Sequence, residues 1–208
     1  QWNAVGMLQE IGRGGDMVAY SHPDLDFVTK FPYDDASGSP KRQWPQHIKY
    51  GFFLGKRCLG GILAPIINLP VVVRGESSPG AVIIPIVQQK VRTIEQVIRE
   101  LSSREIADVR TEIERAFIAL NQRMWERGIL DTDPDWEQNY GLLPTGQLVL
   151  IDIGGLSDKE EDFPYYEGLP REYLYPASLR DAFSDENFRR FFGKNLDAQT
   201  YAPAVRVI

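Results

Sequence analysis

Between Gly128 and Gly155 the chain reads GILDTDPDWEQNYGLLPTGQLVLIDIGG. Three aspartates alternate there (Asp131, Asp133 and Asp135), an amide follows at Asn139, and Asp152 stands 13 residues further on, just before Ile-Gly-Gly. Pro-Thr-Gly separates YGLL from QLVLID and predicts a hairpin that returns Asn139 and Asp152 to the same end. An amide oxygen and a carboxylate aimed at one point are suitable hard ligands for Mg²⁺. One of the three aspartates could orient and deprotonate a hydroxyl nucleophile. The plainer readings are a solvated acidic loop and a strand-end Asp in a turn. A calcium loop lacks its glycine and distal glutamate at the required places.

A second group lies near the start of the chain. Ile11-Gly12-Arg13-Gly14-Gly15-Asp16-Met17-Val18 is a glycine-rich turn. Glycines let backbone N–H groups approach phosphate oxygens and supply the positive-φ conformations of such a cradle. The turn joins two strands, whereas dinucleotide and Walker loops open a helix. Taken alone it reads equally as a plain hairpin turn. Lys30 follows 18 residues after Gly12, on a strand FVTKF. By itself it is a surface lysine on a half-exposed strand. With the glycine turn upstream it becomes a group that could hold nucleotide phosphates.

Bulk properties narrow the class. With 208 residues, 43% of them hydrophobic, the chain can bury a sizeable core in one domain or in two small lobes. A net charge of -6 argues against a general affinity for nucleic acid or anionic membrane. Cys58 is the single cysteine, so no internal disulfide forms, and its setting between Arg57 and Leu59 predicts a buried structural thiol. No apolar run approaches the ~20 residues of a membrane span. No secretory signal is legible, and the chain begins at Gln1 and not at Met.

The elements that must position these residues are partly punctuated. VGMLQEIG, MVAYS and DFVTKF predict three strands, and DDASGSPKR a turn-rich connection. A helix is expected from Pro45 to about Arg57 with Ile48 and Phe52 on its inner face. ILAPIINLPVVV predicts one or two buried strands, GESSPG a loop, and AVIIPIVQQKV another buried strand. Thr93 with Gln96, and Ser102 with Glu105, fit capping boxes. Ile106, Val109, Ile113, Phe117, Leu120 and Met124 repeat with a 3.6 period over a helix ended by Gly128. The segment from Leu156 to Pro176 predicts an extended loop, and DENFRRFFGKNL a last helix.

In this order the residues resemble a minimal protein kinase-like fold. The resemblance is to the bacterial YrbL-like (PhoP regulatory network) family and to the small kinases delivered by type III secretion. It runs from Gly12 to about Leu156 and is carried by IGRGGDMVAY, VTK, IKYGFFLGKR and NYGLL…VLIDIGG. It implies an α+β, two-lobed fold in one domain over 1–208, with a β-rich N-lobe at about 1–90 and a reduced, mainly helical C-lobe at about 91–208. It further implies ATP and Mg²⁺ bound between the lobes. Gly12, Arg13, Gly14, Gly15 and Val18 would cover the nucleotide, with Gln88 and Val91 at the hinge. Lys30 would hold the α/β-phosphates, Asn139 and Asp152 the metal, and Asp133 would serve as base, with Asp131 and Asp135 as alternates.

Three departures from that pattern stand in the sequence. The position five before Asn139 is Pro134, and Asp133 is six before. No glutamate occurs between Glu10 and Glu76, so the helix cannot supply the usual partner of the lysine, and Gln46 or His47 stands in its approximate place. Only 56 residues follow Asp152, without an APE motif. The activity expected is transfer from ATP to a protein hydroxyl, of the Ser/Thr type, by a monomer. The alternatives are a pseudokinase acting as a nucleotide-binding scaffold and a small-molecule phosphotransferase. The expected setting is a bacterial cytoplasm or, for a secreted effector acting on a host protein, a host cell. DFPYYEGLPREYLY (162–175) is the candidate for substrate contact, and equally reads as a surface loop packing its aromatics onto the C-lobe.

Overall fold

A computed structural model of the chain describes residues 8–14, 17–21, 23–34, 39–40, 45–67, 71–75, 78–83, 85–101, 106–133, 135–163, 165–166, 169–170 and 175–194. The protein is mixed α+β, with an antiparallel sheet and four helices among the described residues. It divides into two compact units, Gln1–Gln46 with Pro65–Lys90, and His47–Ala64 with Val91–Ile208. Gly15, Pro134, the Ser102–Glu105 capping box and half of 162–175 lie outside the described residues, as does the side chain of Cys58. No helix among the described residues is long and apolar enough to cross a membrane.

The first unit is built on strands β1 (Gln9–Arg13), β2 (Met17–Ser21), β3 (Phe27–Asp34), β4 (Ser39–Pro40), β5 (Ile66–Ile67), β6 (Val71–Gly75), β7 (Ser78–Ile83) and β8 (Ile86–Gln89). The main sheet runs in the order β1-β2-β3-β8-β5, all antiparallel, with β4 on the end of β3. β6 and β7 pair only with each other. Two expectations change here. The first strand is Gln9–Arg13, running one residue past VGMLQEIG, whose residues 5–7 lie outside the described residues. GESSPG and AVIIPIVQQKV are not a loop and one strand, because Ser78–Ile83 folds back on Val71–Gly75 and a separate strand begins at Ile86. Pro85 between them lacks the N–H a continuous ladder would require.

The second unit contains α1 (Gln46–Cys58), β9 (Arg92–Thr93), α2 (Ile94–Glu100), α3 (Ile106–Glu126), β10 (Leu130–Asp131), β11 (Tyr140–Leu142), β12 (Leu148–Leu150), β13 (Leu156–Ser157), β14 (Tyr165–Tyr166), β15 (Leu169–Pro170) and α4 (Asp185–Phe191). The Thr93 capping box forms as its spacing predicts, with both reciprocal bonds made. α3 ends in a Schellman motif. Gly128 takes φ 69°, its N–H donates to Trp125 O at 2.8 Å, and Ile129 N–H donates to Met124 O at 3.0 Å. The predicted extended loop carries short structure, with a 3-10 turn at Glu160–Asp162 and the β14–β15 pair.

α3 is the spine of this unit. Ile113, Phe117, Leu120 and Met124 are fully buried, as their period demands. The Phe117 ring lies 4.7 Å edge-on from Tyr140, 5.2 Å stacked from Phe183 and 5.9 Å from Trp136. Two turns on, Trp125 meets Phe163, Phe183 and Phe188 edge-on at 5.4–5.5 Å. Rings bury large apolar area and prefer these offset geometries, so the aromatic residues of the C-terminal third close over the helix. The loop that carries the three aspartates therefore starts from a rigid base. Replacing Phe117 by Ala should cost about 3–5 kcal/mol of unfolding free energy, read as a lower urea midpoint at unchanged slope.

Candidate functional site

The hairpin brings Asn139 and Asp152 to the same end. β11 and β12 pair Tyr140 with Leu150, Gly141 with Val149 and Leu142 with Leu148. One step beyond the ladder, the Asn139 carbonyl accepts both Ile151 N–H at 2.9 Å and Asp152 N–H at 3.4 Å. The two residues are joined through the backbone, and their side chains start from adjacent points. Asn139 is buried and donates its side-chain amide to Asp133 O at 3.4 Å. The Asp152 carboxylate takes Gly154 N–H on Oδ1 at 2.8 Å and is half-buried, and its Oδ2 could serve as a ligand oxygen.

The three aspartates are held in three different ways. Asp131 ends β10 at 2% exposure, accepting Tyr140 O–H on Oδ2 at 2.7 Å and Asp133 N–H on Oδ1 at 3.0 Å. Asn121 on α3 stands beside the same hydroxyl, 3.5 Å away, and is itself held by Phe117 O at 3.1 Å. Asp131 is thus a strut that shapes the loop from below. Asp135 is exposed and caps a turn by accepting Gln138 N–H at 3.1 Å, while its carbonyl takes Asn139 N–H at 2.8 Å. Asp133 lies between them, half-buried, and its carboxylate accepts no hydrogen bond among the described residues. No three His, Cys, Asp or Glu side chains among the described residues converge to hold a metal. A metal at this place would rest on Asn139 and Asp152, a hard-oxygen pair of the kind that binds Mg²⁺ alongside substrate phosphates.

Two glycines make the site possible. A Cβ on Gly155 would stand 2.7 Å from Asp131 Oδ1 and 2.9 Å from Asp133 N. The same residue's carbonyl accepts Thr132 N–H at 2.6 Å and Thr132 O–H at 2.8 Å. The aspartate loop and the 151–155 turn are thus in backbone contact, and β10 pairs with β13 on either side of it. On the other flank, a Cβ on Gly51 of α1 would collide with the Ile153 carbonyl. Ile48 is buried as expected, but Phe52 is only half-buried, and the inner line of α1 runs Ile48, Gly51, Leu54 and Gly55. The glycines present the closest surface, which a pattern search for apolar side chains passes over.

In the first unit, cross-strand register sets which predicted residues share a face. Gly12, Ala19, Lys30 and Ile86 stand opposite one another across β1, β2, β3 and β8. Directly opposed residues share a face and neighbours along a strand alternate. Lys30, Val28, Gly12, Ala19 and Gln88 therefore lie on one face. Val18, paired with Arg13 and Phe31, lies on the other. Val18 is buried in the core, and Ala19 is the β2 residue that stands opposite Lys30; only the register could reveal this. Arg13 is drawn to Glu10 by a two-bond pair at 2.9 and 2.7 Å, which holds the Glu10 carboxyl below its usual pKa. Gly14 closes the turn through its N–H to Met17 O at 2.9 Å. Gln88 is 3% exposed, and its Nε2 has no hydrogen-bond partner among the described residues. In the second unit, Val91 packs against Gly141 just before β9.

No protein-family profile matches the chain, and no curated protein matches it. What this site can do therefore rests on its own chemistry. Tyr140→Phe should cost about 1–3 kcal/mol by removing a donor from the buried Asp131 carboxylate, whereas Asp135→Ala, at an exposed turn, should cost under about 1 kcal/mol. Chemical denaturation of both variants checks the contrast.

Proposed function

We propose that the chain is an ATP- and Mg²⁺-dependent protein kinase of minimal, two-lobed architecture that phosphorylates a Ser or Thr hydroxyl. The observation that carries this reading is the shared carbonyl of Asn139, which ties the amide and Asp152 at one end of the hairpin. Support also comes from the sheet. Lys30 lies on the third strand, on the same face as Gly12 and beside the strand of Gln88. The aspartate loop adds a free carboxylate at Asp133 next to two others already engaged.

In this reading Asn139 and Asp152 would hold Mg²⁺, which would supply positive charge to offset that of the phosphate oxygens. Lys30 holds the α/β-phosphates. Asp133 orients the acceptor hydroxyl and takes its proton. The hydroxyl oxygen bonds to the γ-phosphorus, the bond to the β–γ bridging oxygen breaks, and ADP leaves. Such catalysis is chiefly positioning and electrostatic stabilisation. The backbone tie at Asn139 and the contact at Gly155 are features that supply positioning.

One observation favours a pseudokinase as the second reading. α1 (QHIKYGFFLGKRC) carries no acid at all, so it offers no carboxylate to a lysine. A radiolabelled ATP assay separates the two. Transfer to a protein substrate or to the chain itself should fall at least ~10²-fold in Asp152→Ala and in Lys30→Met, the scale set by losing one electrostatic stabiliser. Asp133→Asn should reduce turnover ~10²-fold or more by removing the base, with nucleotide affinity unchanged. Nucleotide binding without transfer to any acceptor would establish the pseudokinase instead.

A further inference from the structure

We propose that α1 is a fixed abutment for the metal-binding turn, with Gly51 as the positioning residue that holds Asp152 in place. The inference rests on the nucleotide reading above and adds what couples α1 to that site. The contact is between backbones. Gly51 presents its bare Cα to the Ile153 carbonyl, and a Cβ there would meet carbonyl oxygen and carbon together. A flexible side chain could rotate away from such a collision, whereas a peptide plane has to move with its neighbours. Asp152 is the immediate neighbour. Its own N–H is directed to Asn139 O and its Oδ1 closes onto Gly154 N–H, so the turn shifts as one piece.

Three further contacts fasten the helix to the same stretch. Ile48, one turn before Gly51, reaches Gly154, where a Cβ would lie 3.0 Å from Ile48 Cδ1. Tyr50 O–H donates to the Asp158 carboxylate just after β13. Past the helix end, Ala64 N–H donates to Leu150 O and Leu150 N–H to Ile62 O, both at 2.9 Å, lacing the chain after α1 onto β12 two residues before Asp152. Helix and turn are therefore linked before, at and after the metal ligand. A helix without a single acid is coupled to the site by shape.

Gly55 supplies an internal control. It lies on the same helix face four residues on, but a Cβ there meets Leu63 Cδ2 at 2.8 Å, the end of a flexible side chain. Both Gly→Ala changes favour the helix intrinsically, so a difference between the two comes from what each Cβ meets. Calorimetric titration of the full chain with ATP, in a series of Mg²⁺ concentrations and in EDTA, provides the test. Gly51→Ala should raise the half-saturating Mg²⁺ concentration about tenfold, the scale of losing a residue that orients a metal ligand. Its affinity for metal-free ATP should not change, and Gly55→Ala should match the unaltered chain in both. Ile48→Val removes only the methyl that touches Gly154 and should shift the Mg²⁺ requirement less, in the same direction, even if Gly51→Ala does not fold. A folded Gly51→Ala with an unchanged Mg²⁺ requirement overturns the inference alone, and so does an unchanged Ile48→Val where Gly51→Ala fails to fold. No Mg²⁺-dependent ATP binding by the unaltered chain overturns the nucleotide reading and the inference with it.

Discussion

The 151–155 turn is squeezed between two backbones. On one flank it meets the aspartate loop at Gly155, and on the other it meets α1 at Gly51. Neither approach leaves room for one methyl group. Close-packed interiors transmit displacements and do not absorb them. The position of Asp152 is consequently set by the joint fit of three segments far apart in sequence. Only glycine satisfies both contacts.

The aspartate loop answers to a different force. Its base is a buried carboxylate, Asp131, and a buried charge is tolerated only when its oxygens are satisfied. Tyr140 O–H and Asp133 N–H provide that satisfaction on separate oxygens. Tyr140 in turn is fixed by the Phe117 ring and by the first pair of the hairpin. One tyrosine thus links the aromatic core of α3, the strut of the loop and the hairpin that aligns Asn139 with Asp152. Of the three neighbouring aspartates, two are engaged in hydrogen bonds that shape the loop, and the Asp133 carboxylate accepts none among the described residues.

The sheet of the first unit obeys alternation alone. Its register puts Gly12, Ala19, Lys30 and Gln88 on one face and sends Val18 and Arg13 to the other. A slip of one residue would exchange the two sets. The β1–β2 pairing includes an irregularity between Glu10 and Gly12, so alternation counted back from Gly12 does not give the face of Glu10 and Gln9. Gln88 is the residual tension of this unit, since a buried amide nitrogen without a partner costs free energy that the surrounding contacts must offset.

Much of the architecture was legible because it depends on local rules. The period of Ile113, Phe117, Leu120 and Met124, the Thr93 capping box, the Gly128 stop and the Pro-Thr-Gly hairpin each act over a few residues, and each formed. Pairing Asn139 with Asp152 followed from the hairpin for the same reason. Other features were not in the pattern. The sequence could not say that Val18 turns away from Lys30, or that Pro85 divides one apolar run into strands of two different sheets. It also could not rank the three aspartates, because their roles come from Tyr140 and Gln138 reaching them in space. Above all, a glycine in a helix reads as a weakness in one dimension. Only the tertiary structure turns Gly51 into the surface on which Ile153 rests, because contact between distant backbones leaves no periodic trace in the chain.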